Sequence, residues 1–164
     1  MGVFEMDGSI DSFFGEYRFL SNFWPAPIEL FGITFPTVEH AYVYAKIDGN
    51  TDPASLRLKS DIRHRLEQPD EVKRAGMEAL LRPDWNYVRL PIMTMLVSAK
   101  FNQHPDLGEK LVATGQAQLT EGNHWHDNFW GDCSCASCDG ISKQNNLGLI
   151  LMAVRANLGS DKQL

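Results

Sequence analysis

Strand-type patterning in this chain is confined almost entirely to one short stretch, and that limits the folds open to it. Ile28 to Phe35 reads as two short strands around a Phe31-Gly32 turn, because β-branched and aromatic residues flank a turn signal. Helix signals fill most of the rest. Thr37 is placed to cap a helix running to about Ile47, which Asp48-Gly49-Asn50 ends with turn residues. Asp52-Pro53 sets a capping residue before a proline at the first helical position, and helical patterning continues with breaks through Leu81. Strands and helices do not alternate, which argues against a doubly wound parallel sheet. The expected architecture is helix-rich α+β with a few short strands, in a single compact domain.

The second half follows the same logic. Ile92, Met95, Leu96 and Ala99 share one helical face between Asp84 and Asn102. Pro91 removes a backbone donor, so the main helix is expected to begin there, with Asp84–Leu90 as a separate turn. Pro105 to Thr114 reads as a further helix closed by Gly115, and Gln118 to Glu121 as a short strand. Residues 122–144 form a long polar loop containing two tryptophans, and loops of that length inside a domain usually serve function. Leu147 to Leu158 reads as the last helix. Residues 1–12 are expected to be loosely held and 160–164 to form a tail, leaving 13–159 as the domain.

The length of 164 residues fits one domain with a real hydrophobic core. A net charge of −6 argues against broad, non-specific binding to nucleic acid, which rests on neutralising phosphates. Arg57, Lys59, Arg63, His64 and Arg65 cluster locally, and a solvated helix face accounts for them. The sequence has no apolar run long enough to span a bilayer and no secretory signal, so a soluble, cytoplasmic protein without membrane association is expected.

Four stretches carry chemistry. Glu39 and Lys46 lie seven residues apart, close to two helical turns, so they share a face about 10 Å apart along the axis at roughly 1.5 Å per residue. Such pairs are common on exposed helices. Here, however, Ala41, Tyr42, Val43, Tyr44 and Ala45 surround them, and that company implies partial burial. Burial disfavours the charged form of each and suits acid–base work. The second stretch, Tyr17-Arg18-Phe19-Leu20-Ser21-Asn22-Phe23-Trp24-Pro25, offers stacking, a cation and an amide to a nucleotide, or else caps the core with its aromatics turned inward. The third, Trp125 to Asp132, includes Trp130-Gly131-Asp132, where Asp132 either binds a sugar or makes a turn. Downstream, Asn145-Asn146-Leu147-Gly148 opens a helix whose free N–H groups suit an anion, or simply caps it. Last, Cys133, Cys135 and Cys138 lie within six residues, with His126 upstream. An odd, clustered set is a poor disulfide framework. It suits either a structural zinc or reduced thiols.

In these stretches the sequence resembles the NADAR superfamily, which includes the YbiA-like N-glycosidases. Leu20-Ser21-Asn22-Phe23-Trp24-Pro25 matches its S-N-F loop. Phe35-Pro36-Thr37-Val38-Glu39-His40 matches its P-T-x-E-H helix start, with Lys46 seven residues after the Glu. Ala99-Lys100-Phe101 with His104, then Trp130-Gly131-Asp132, then Asn145 through Arg155, follow in the family's order. The resemblance covers roughly Phe13 to Arg155.

The resemblance implies that Glu39 and Lys46 are the active-site pair, and that Ser21, Asn22, Trp85, Trp130, Asp132, Asn145 and Gly148 line the pocket. Phe23, His40 and Gly131 stand in the same motifs. Members act on N-linked ribose: some cleave phosphorylated ribosylamino-pyrimidines of riboflavin synthesis, others remove ADP-ribose from guanine bases. The expected activity is therefore an N-glycosidase using no cofactor, acting on a small nucleotide or an ADP-ribosylated base, free or within nucleic acid. A non-catalytic ADP-ribose-binding or NAD-binding module is the rival from another class. Glu39 would serve as general acid or base. Lys46 would be a nucleophile toward opened ribose. Asp132 would stabilise positive charge. Arg18 and the helix start at Asn145–Gly148 would hold phosphate. Two departures stand out. Lys143-Gln144 occupies a position where the family often has Gly-x, and the Cys cluster occupies a loop that is Gly-rich in riboflavin-type relatives. The first bears on loop geometry and phosphate contacts, and the second places this chain in a different branch.

Overall fold

The structure, a computed structural model, describes residues 8–49 and 52–161. Asn50 of the expected turn, residues 1–7 and residues 162–164 of the expected tail lie outside the described residues. The elements in order are β1 (Ser9–Ile10), a 3-10 turn (Gly15–Leu20), β2 (Ile28–Leu30), β3 (Ile33–Phe35), α1 (Val38–Lys46), α2 (Pro53–His64), α3 (Pro69–Met77) and α4 (Trp85–Gln103). They continue with α5 (Pro105–Ala113), β4 (Gln118–Leu119), β5 (Gly122–Asn123), β6 (Asp132–Cys133), a 3-10 turn (Ala136–Cys138) and α6 (Asn146–Asp161). The helix-rich α+β expectation holds. The chain packs as two units: residues 22–103, and the segment through Ser21 together with everything from His104 onward.

In the 22–103 unit, β2 and β3 form an antiparallel hairpin, Ile28 opposite Phe35 and Leu30 opposite Ile33. Phe31 and Gly32 both take positive φ, 52° and 74°, the backbone that a two-residue hairpin turn demands and that glycine adopts without strain. Thr37 caps α1 through its side chain, accepting from the His40 amide. Asp52 does the same for α2 from the Ser55 amide. Val43 and Ile47 at the end of α1, Ile62 of α2 and Val72 of α3 form the buried cluster that ties these helices together. α4 packs across α1 and β2.

α4 departs from expectation. It runs unbroken from Trp85, with Pro91 inside it. The residue whose carbonyl loses its partner to Pro91 is Tyr87, which is 86% exposed, so water can take over that acceptor. Arg82 grips Asp84 with two bonds, Nε to Oδ1 at 2.6 Å and Nη2 to Oδ2 at 2.9 Å, just before the helix starts.

In the other unit, β1 pairs in parallel with β4, so Ser9 and Ile10 are ordered strand residues where the sequence suggested a loosely held segment. Ile10 and Leu119 bury their side chains from that pair. α5 and α6 pack on each other, and Leu107 and Leu111 of α5 and Leu147, Leu151 and Val154 of α6 are buried. The long loop after β4 is not structureless, since β5 and β6 pair within it. No helix among the described residues is long and apolar enough to cross a membrane.

Candidate functional site

Glu39 and Lys46 sit on α1, in the 22–103 unit, and the apolar company predicted their environment. Glu39 is 8% exposed. Lys46 is partly buried, and burial is the largest influence holding its ammonium below the usual lysine value. The Glu39 charge pulls that value back up, and Lys73 of α3 pushes it down. The pair is thus electrostatically linked, and Lys73 joins it as a second cation. Gly76, one turn on from Lys73, lets α3 lie against Lys46 and Val43.

The S-N-F loop is tied to the start of α1. The Glu39 amide donates to the Asn22 carbonyl at 3.1 Å, which satisfies one of the free N–H groups of the first turn. Asn22 is buried; its side-chain N–H group donates to the Met93 sulfur at 3.4 Å. Its Oδ1 is buried without a hydrogen-bond partner, which is costly unless a bound group donates to it. Phe23 presents its ring to the Lys73 ammonium, 5.7 Å from the centroid. Trp85 is buried against Tyr42 of α1 with ring centroids 5.1 Å apart. Lys73 and Gly76 were not foreseen from sequence; their only signal was that Val72 and Gly76 share the inward face of a short helix.

His40, expected beside the substrate, is built into the framework of α1. It is fully buried, its Nδ1 bonds the Thr37 hydroxyl at 2.8 Å, and its Nε2 donates to the Leu66 carbonyl at 3.1 Å. Both ring nitrogens are spent, and burial holds its pKa below the ordinary histidine value. The opposite side of α1, through Ala41, Tyr44 and Ala45, lines an apolar groove of about 530 Å³ with Leu30, Phe35 and Met95. Neither Glu39 nor Lys46 reaches that groove.

The remaining predicted residues belong to the other unit. Arg18 is exposed on the first 3-10 turn, and Ser21 closes that turn by donating its amide to the Arg18 carbonyl at 3.0 Å. Trp130 packs edge-on against Phe129, centroids 4.8 Å apart. Asp132 Oδ1 accepts from Lys143 Nζ at 2.8 Å, a bond that raises the Lys143 pKa. The lysine that departs from the family pattern therefore neutralises the aspartate expected to stabilise positive charge.

Asn145 and Gly148, expected to line the pocket, make close framework contacts. The Asn145 side chain accepts from the Glu121 amide at 3.0 Å and donates to the Leu119 carbonyl at 2.8 Å. Gly148 lies where any β-carbon would strike the Leu119 carbonyl and the Asn145 amide. Gly131 likewise lies against the Glu121 carbonyl and Asn123. The expected anion site at the start of α6 is largely consumed. Asn145, Asn146 and Leu147 donate their amides to the carbonyls of Gly131, Phe129 and Trp130 at 3.2, 3.2 and 3.0 Å. These bonds fasten the Trp130-Gly131 loop to the helix instead of leaving donors for phosphate.

The described chain is thus helix-rich α+β, with a buried acid and a partly buried amine on one face of α1. The chain belongs to the NADAR domain family, whose sequence model matches residues 12–159. It is 37% identical over 144 residues to the riboflavin biosynthesis protein VVA0006 of Vibrio vulnificus, covering 87% of this chain and 36% of that protein. It is 33% identical over 150 residues to the N-glycosidase YbiA of Escherichia coli, covering 90% of this chain and 85% of that one. To the N-glycosidase Npun_R5314 of Nostoc punctiforme it is 37% identical over 144 residues, covering 87% and 86%. The NMR structure of E. coli YbiA superposes with a TM-score of 0.77 at 31% identity, covering 99% of this chain and 96% of that one.

Proposed function

We propose that this chain, an N-glycosidase, cleaves the bond between ribose and a nitrogen base, and that its substrate is ADP-ribose carried on a guanine base. The observation that carries the reading is buried Glu39 with partly buried Lys46 on one helix face, in a shared field. A binding module needs no amine whose proton burial has loosened. The unpartnered Asn22 Oδ1 supports a substrate hydroxyl as the donor that completes it. Phe23, half-buried in the same loop, offers a ring face to a base.

Glu39 protonates the leaving nitrogen and later takes a proton from water. Lys46, whose ammonium burial holds below the usual lysine value, adds as the free amine to the anomeric carbon. The first amine proton recharges Glu39 and the second passes to the ring oxygen as the ring opens, leaving an open-chain imine. Water then hydrolyses that imine to the ribose aldehyde and returns the free amine. Lys73 supplies positive charge beside the pair, which suits a phosphate-bearing substrate.

The second reading, cleavage of ribosylamino-pyrimidine phosphates, is favoured by the likeness to the riboflavin biosynthesis protein of Vibrio vulnificus. Against it stand two local differences already noted in the sequence, the Cys-bearing loop and Lys143 bound to Asp132. Incubating the protein with ADP-ribosylated guanosine, ADP-ribosylated guanine in DNA, and ribosylamino-pyrimidine phosphates, with mass spectrometry of the products, separates the readings. Release of guanine-containing product with free ADP-ribose supports the first. Exclusive turnover of the pyrimidines supports the second. Binding without turnover of any would leave only a ligand-binding module.

A further inference from the structure

We propose that Cys133, Cys135, Cys138 and His126 hold a structural zinc ion that locks the loop carrying Trp130, Gly131 and Asp132. The four candidate ligand atoms all lie within 4.8 Å of one another. A tetrahedral zinc with sulfurs at about 2.3 Å and nitrogen at about 2.0 Å places its ligand atoms roughly 3.5–3.8 Å apart. His126 Nδ1 lies 3.2 Å from the Cys135 sulfur and 3.4 Å from the Cys138 sulfur, so only small adjustments separate this cluster from that geometry.

The backbone supports the arrangement. His126 adopts φ +68°, a left-handed conformation costly for a residue with a β-carbon. A metal bond to its ring offsets that cost. Two N–H groups point at the sulfurs: the His126 amide donates to Cys133 at 3.3 Å and the Asn128 side chain to Cys138 at 3.1 Å. Donors of this kind surround metal-bound thiolates and stabilise their charge. Asn128 Oδ1 in turn accepts from the Cys133 amide at 3.1 Å. Three thiolates and one imidazole, a soft donor set, select zinc over harder cations.

The site has a mechanical consequence. Cys133 follows Asp132 directly, and both belong to β6, which pairs with β5. His126 and Cys133 bracket Trp130 and Gly131. The metal therefore closes the loop at both ends, at the segment that α6 grips through Phe129, Trp130 and Gly131. This assignment concerns metal content and loop order, so it stands or falls separately from the substrate.

The test uses the full chain purified under reducing conditions without added metal or chelator. Plasma mass spectrometry should find about one zinc per chain. Protein stripped of metal and titrated with cobalt(II) should develop thiolate charge-transfer absorption and the visible bands of a tetrahedral ion, both erased by one equivalent of zinc. In Cys135→Ser the thiolate absorption should fall to about two-thirds, one of three thiolates being lost. If that variant does not fold, the cobalt titration of the unaltered chain still decides. Absence of bound metal together with no cobalt–thiolate band would overturn the assignment, as would a disulfide between any two of these cysteines in the reduced preparation.

Discussion

Gly76 of α3 approaches Lys46 of α1 so closely that a β-carbon on Gly76 would stand 3.2 Å from the Lys46 ammonium nitrogen and 2.5 Å from a methyl of Val43. Two helices are thus brought together by the absence of one carbon, at the very amine proposed to react. Gly76→Ala would gain helix propensity, worth up to about 1 kcal/mol. Overpacking against the buried Val43 costs more, about 1–3 kcal/mol, because Val43 is core and cannot retreat. The expected result is a lower denaturant midpoint together with reduced turnover in the fraction that remains folded. An unchanged midpoint would mean that α3 does not press on α1 as described.

Lys46→Arg separates two roles for the amine. Arginine keeps the positive charge and cannot form an imine. Turnover should fall by at least about a hundredfold, and borohydride added during turnover of the unaltered enzyme should leave a reduced adduct on the peptide containing Lys46. Retained activity in Lys46→Arg, with no trapped adduct, would demote Lys46 to an electrostatic contact and leave hydrolysis to Glu39 and water.

Lys100 gives a pH signature of its own. It is 1% exposed within α4, and burial lowers its pKa to about 7 from 10.5. Between those values the unfolded chain binds a proton that the folded chain has released, so stability rises with pH. The slope contributed approaches about 1.4 kcal/mol per pH unit in that window and vanishes below about pH 7, where both states are protonated. Denaturant unfolding of the unaltered chain and of Lys100→Met from pH 6 to 10 should therefore differ in slope above pH 7. Parallel curves would show that Lys100 keeps its proton when folded.

Much of this was legible in the sequence because short-range rules govern it. Thr37 and Asp52 cap their helices as their residue types dictate, and Phe31-Gly32 makes the hairpin turn that its flanking strands require. The apolar neighbours of Glu39 and Lys46 announced their burial. What stayed hidden depends on partners distant in the chain. That Lys73 and Gly76 face α1 follows from how α3 packs, which local patterning does not encode. His40, Asn145 and Gly148 stand in motifs beside reactive residues, yet their bonds go to Leu66, Glu121 and Leu119. A motif records that a residue is needed and not whether it touches ligand or backbone. Pro91 misled for a related reason: its penalty assumes a buried carbonyl four residues back, and Tyr87 is exposed.

The central claim is that Glu39 on the buried face of α1 moves the proton that lets the base depart. Glu39→Gln preserves size and hydrogen-bonding shape while removing the transferable proton. Its circular dichroism and melting temperature should match the unaltered chain, so that any loss belongs to chemistry. Turnover of the best substrate from the ribosylated panel should drop by at least about a hundredfold, the scale of a general acid–base residue. A folded Glu39→Gln enzyme working at near-normal rate would contradict the account.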